Sequence, residues 1–249
     1  MKLKFEIDTD YDIEMVAHML RKDGWEYRAK KMELPENLVR KVSQAAENDL
    51  PGVLDELREE AEITYHKIRP YMERTLVQYQ KSWDEIIEDF SALVEKKSVP
   101  WFYDEYICKL TNYNPGLSNW DGNVIGRWWK ENAFRQRRIT AHEILLAHYF
   151  SIHRNNYQNS GVDDKQIWAL AEIFAFAMTG LDEDLRKLWP WDRRGYYTDH
   201  NYPHIVDLQL ALEEPFIKMK SFDDYVKAGI DLVEKMYMPE RSPGLFRNK

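Results

Sequence analysis

From Pro51 to Lys97 the chain carries an almost unbroken helical pattern of Leu, Glu, Ile, Tyr and Trp. A 3.6-residue period sustained that far needs a broad apolar surface to lie against, so it limits the fold more than any other feature. Leu54, Leu57, Ala61, Tyr65 and Ile68 make a bulky stripe opposite a charged face, the signature of helices packed on a core. Pro70 lacks an amide hydrogen and its ring crowds the preceding turn. The stretch is therefore expected to form two helices, or one bent helix, ending before Pro100.

The flanking segments read more simply. Residues Met1 to Asp8 alternate, with Met1, Leu3, Phe5 and Ile7 on one face, which predicts a half-buried strand. Helices are expected over Asp10–Arg21, ending near Gly24, and over Pro35–Asn48, with Pro35 in the first turn. Trp101 to Tyr113 is aromatic and β-branched, Asn114-Pro115-Gly116 is a turn signal, and Asn123 to Trp129 follows as a second strand candidate. Together they predict a hairpin with a long aromatic tip. The rest is helical: Arg138–Asn155, Asp163–Thr179, Asp182–Leu188, Pro203–Leu212 and Ser221–Met236. Thr140 to Phe150 is apolar enough to lie in the middle of the fold. The expected class is mainly α with a small β-sheet (α+β), as one domain over residues 1–249. Residue 100 is the one candidate boundary, between a strand and helices (1–99) and a hairpin with a helical part (100–249).

Composition narrows the function classes. No apolar run approaches the roughly 20 residues of a membrane span, and the first residues lack the apolar segment of a secretory signal. A cytosolic protein that does not engage membranes is the expectation. The single cysteine, Cys108, excludes an internal disulfide or a cysteine-rich zinc module and reads as a small buried hydrophobe. A net charge of −8 argues against nucleic acid, which is held by clustered Lys and Arg. The short run Arg135-Gln136-Arg137-Arg138 reads as a solvated first turn before a helix. Trp128-Trp129 and Trp189-Pro190-Trp191 suit core packing, or the floor of a carbohydrate or peptide groove.

One segment carries chemistry: Thr140-Ala141-His142-Glu143-Ile144-Leu145-Leu146-Ala147-His148-Tyr149. In an H-E-x-x-H helix, two histidines one turn apart ligate one zinc ion while the glutamate between them activates its water. Here His142-Glu143 is present, but Leu146 stands where the second histidine belongs. His148 lies about 240° round the helix from His142, so a regular helix cannot aim both at one ion. A second acid, Glu172, interrupts the apolar run Trp168 to Phe176, where a lone carboxylate is costly to bury without a partner.

The motif and the order of segments resemble the zincin-like metallopeptidases of the gluzincin group: a backing helix, a small sheet, the motif helix, and a following helix bearing a glutamate. The resemblance covers roughly residues 50–205 in arrangement, and its specific part is the motif alone. It implies a zincin-like core, a zinc-dependent peptide hydrolase and a peptide or protein substrate. It implies His142 as first metal ligand, Glu143 as general base and Glu172 as a further ligand. His148 is the substitute ligand if the helix is locally distorted. In the cluster Tyr196 to His204, His200, Tyr202 or His204 would steady the oxyanion or supply the missing ligand. Leu146 leaves two outcomes open: a degenerate site without zinc or activity, or a site completed by another residue. A reading from a different class also stands, a non-catalytic binding or scaffold protein with an aromatic partner surface.

Overall fold

The computed structural model describes residues 1–21, 34–113, 122–200 and 202–237. Alternation at the N-terminus becomes strand β1, Lys2–Ile7, with Leu3 and Phe5 buried. Asp8 then caps helix α1, Thr9–Leu20, its carboxylate accepting from the Tyr11 amide at 3.0 Å. Helix α2, Glu36–Gln44, follows Pro35.

The long helical pattern resolves into α3, Leu50–Asp84, and α4, Ile87–Lys97. The division falls at Glu85-Ile86 and not at Pro70, which sits inside α3. Pro70 and His66 are both exposed, so water can take the His66 carbonyl that the missing amide leaves unpaired. At the true break Ile86 is buried, and its amide turns back to the Trp83 carbonyl at 2.9 Å.

The expected hairpin is corrected. Strands β2, Glu105–Thr111, and β3, Val124–Trp128, pair in parallel, with Cys108 opposite Ile125. The sheet has the order β1-β2-β3 and is parallel throughout, with Leu3 opposite Tyr106 and Phe5 opposite Cys108. The Asn114-Pro115-Gly116 turn signal and most of the aromatic tip lie outside the described residues. Gln80 of α3 covers the β1 edge: its Oε1 accepts from the Phe5 amide at 3.0 Å and its amide donates to the Leu3 carbonyl at 2.9 Å. A side chain thus does what a neighbouring strand would do, and the edge is blunted. At the end of β2, buried Asp12 accepts from the Asn112 and Tyr113 amides and the Tyr65 hydroxyl, at 2.7, 2.9 and 2.7 Å. That carboxylate joins α1, α3 and the sheet.

Two helices form the centre. Helix α5, Gln136–Asn156, is buried on every side from Ile144 to His153. Helix α6, Asp164–Gly180, starts with a reciprocal cap between Asp163 and Gln166 and packs along α5. After them come α7, Glu183–Arg186, a 3-10 turn at Pro203–Ile205, α8, Val206–Ala211, α9, Glu213–Lys218, and α10, Phe222–Met236. The chain is, among the described residues, mostly helical with one small sheet. Among the described residues, no helix is long and apolar enough to cross a membrane.

Candidate functional site

The pairing of α5 with α6 brings His142 to Glu172. His142 Nε2 lies 3.0 Å from Glu172 Oε2, and Glu172 is only 4% exposed. A buried carboxylate needs a partner, and here the imidazole supplies it. One turn along α6, the Phe176 ring lies 4.7 Å from the rings of both His142 and His200, stacked on the latter at an interplanar angle of 7°. These groups line a cavity of about 320 Å³, walled by α5, α6 and the segment from Arg194 to Tyr202.

That segment is tied down by charge and by two glycines. Asp192 accepts from Arg138 at 3.1 Å and from Arg194 at 2.5 Å. The hydrogen bonds from Arg194, with help from Arg138, outweigh burial and hold the Asp192 carboxyl well below the usual carboxylate range. Arg138 also donates to the Gly195 carbonyl at 2.6 Å. Gly195 has φ +59, and a Cβ added to Gly180 would lie 2.5 Å from the Gly195 carbonyl oxygen. Two residues without side chains therefore let α6 and the loop touch backbone to backbone. The Tyr197 ring has the guanidinium carbons of Arg138 and Arg194 at 5.3 and 5.1 Å. Burial pushes the Tyr197 hydroxyl upward in pKa, against the pull of both arginines.

His200 is fixed at both nitrogens. Its Nδ1 accepts from the Tyr202 amide at 3.2 Å, so Nε2 carries the hydrogen and donates to Gln209 Oε1 at 2.7 Å. Fully buried Gln209 also donates to the Tyr197 carbonyl, and its own carbonyl accepts from the Tyr196 hydroxyl.

No protein-family model, curated protein or solved structure matches the chain. The geometry alone speaks for the site. It brings His142, Glu143, Glu172 and His200 to one cavity. Glu143 lies within the electrostatic reach of Arg127: burial lowers that guanidinium's pKa, but Glu131 and then Glu143 offset this and raise it. His148 does not join the group. The regular helix turns it away, and its ring is enclosed by Trp101 at 4.4 Å and Phe102 at 5.8 Å. Burial pushes its pKa down to about 4. His204 stacks on Trp168 at 5.8 Å, outside the cavity wall, because Pro203 begins a new turn between it and His200.

The residues present do not fit a catalytic zinc ion, which takes three protein donors. His142 and Glu172 bond to each other, Leu146 is buried, His148 faces aromatic rings, and His200 has both nitrogens engaged. Among the described residues no three His, Cys, Asp or Glu side chains are grouped to hold a metal.

Several site residues escaped sequence reasoning. The run at 135–138 is not a solvated turn: Gln136, Arg137 and Arg138 are buried and only Arg135 is exposed. Arg137 donates to Ser82 and pairs with Glu85, and Arg138 pairs with Asp192. These partners are about fifty residues away in sequence, so no local signal marks them. Gln209 carried no signal either.

Proposed function

We propose that this is a metallopeptidase-like protein with a zincin-like core whose metal centre has given way to a His142–Glu172 pair. It binds a peptide or protein segment without hydrolysing it. The observation that carries this reading is the 3.0 Å contact between the two side chains at the wall of a cavity, with buried Leu146 one turn from His142. The order of parts also supports it, since the helix bearing His142-Glu143 follows a small sheet and packs against the helix bearing Glu172. The cavity lining holds both signs of charge, Arg138 and Arg194 with Glu143, Glu172 and Asp199, which suits the dipolar backbone or terminus of a peptide.

The test is elemental mass spectrometry and a peptidase screen on the same tag-free protein, wild type beside His142→Ala. Substoichiometric metal in both, with no hydrolysis above background, is the expected result. Near-stoichiometric zinc in wild type, lost in His142→Ala together with peptide cleavage, would establish an enzyme instead.

A further inference from the structure

A second cleft of about 650 Å³, which shares Arg194 with the cavity, is lined by Phe134, Trp191, Arg135, Arg193, Arg194 and Asp192, among others. Its floor is aromatic. Phe134 and Trp191 meet edge to face at 5.5 Å yet remain 50% and 44% exposed. Both rings rest on the guanidinium of Arg137, 5.2 and 5.4 Å away, which is itself buried and anchored by Ser82 and Glu85. The aromatic pair is thus held in place before any ligand arrives, which lowers the entropy lost on binding.

The rim is basic in an acidic protein. Arg135, Arg193 and Arg194 are exposed, while the lining carboxylate, Asp192, is already shared by Arg194 and Arg138. Arg194 is thus neutralised by Asp192, and Arg135 and Arg193 supply the positive charge around the apolar floor, in a chain whose net charge is −8. Exposed aromatics with arginines are the composition of interface hot spots.

We propose that this cleft docks an acidic peptide segment, placing one aromatic or large aliphatic side chain on Phe134 and Trp191 and flanking carboxylates on Arg135 and Arg193. A peptide fits better than nucleic acid. The arginines ring one compact cleft instead of tracking along a strand, as a polyphosphate backbone would need. The proposal goes beyond the reading of the His142–Glu172 cavity and does not rest on it.

The experiment selects peptides on the full chain from a display library of random dodecapeptides. The enriched sequences are then synthesised with a fluorescent label and titrated by anisotropy. Sequences with an aromatic or large aliphatic residue between aspartates or glutamates are expected. Their affinity should fall about tenfold or more for Trp191→Ala and for the double variant Arg135→Glu/Arg193→Glu, with unchanged melting temperatures. His142→Ala should bind them as wild type does, which separates this cleft from the cavity. Failure to enrich, enrichment of sequences without acids, or undiminished binding to the double variant would each overturn the proposal. So would an oligothymidylate that displaces the peptides at lower concentration than unlabelled peptide does.

Discussion

His142 and His148 share one helix and differ in almost everything else. The first lies at a cavity wall with a buried glutamate 3.0 Å away; the second is fully buried between Trp101 and Phe102. A spacing of six residues produces this difference, because it turns the second ring to another face of a regular helix. A spacing of four would have put both on one ion. The contrast teaches that residue type alone did not define the site; angular position on α5 and the identity of residue 146 did.

Truncation should separate the two most strongly. His148→Ala removes a ring from the interior and should cost about 3 kcal/mol in urea denaturation, whereas His142→Ala at the cavity wall should cost about 1–2 kcal/mol. Equal losses would mean that His148 is not the better-packed ring.

The pH response sharpens the same contrast. The His148 pKa is depressed in the fold, to about 4 from 6.5. Between those values the unfolded chain holds a proton that the folded chain refuses, so stability falls as pH drops through that window. The full difference is up to about 3 kcal/mol. His148→Leu should flatten that slope relative to wild type, and an unchanged slope would place the acid sensitivity elsewhere. Asp192 acts in a separate window: its depressed pKa lends stability above the ordinary carboxylate range that is lost only on further acidification.

The wall of the cavity is next. Gly180→Ala would drive a methyl against the Gly195 backbone and should cost about 2 kcal/mol, as an overpacked contact that cannot yield to a flexible side chain. A neutral result would show that the segment from Arg194 to Tyr202 is not held by that contact. The smallest effect is the coupling between His142 and Glu172, expected at about 1 kcal/mol in a double-mutant cycle with His142→Ala and Glu172→Gln. Zero coupling would remove the pair as a structural unit.

How far sequence carried these results depends on distance along the chain. The alternation of residues 1–8, the helix that starts at Asp163, the burial of α5 and the departure at Leu146 are local, and each is legible from a few neighbouring residues. The parallel pairing of β2 with β3 is not, because a turn signal and two β-rich segments read as a hairpin whichever way the second strand returns. Pro70 was over-weighted because its penalty depends on whether water reaches the exposed carbonyl, which only the fold decides. The basic run at 135–138 looked solvated because Ser82, Glu85 and Asp192 are remote in sequence.

On the reading proposed above, Leu146 in the position of a second histidine leaves a binding cavity in place of a metal centre. Calorimetric titration of zinc into wild type and Leu146→His, side by side at neutral pH, tests it most directly. The account predicts no one-to-one uptake by wild type and one zinc per chain, with proton release, in the variant. Tight one-to-one binding by wild type, abolished by His142→Ala, would contradict it.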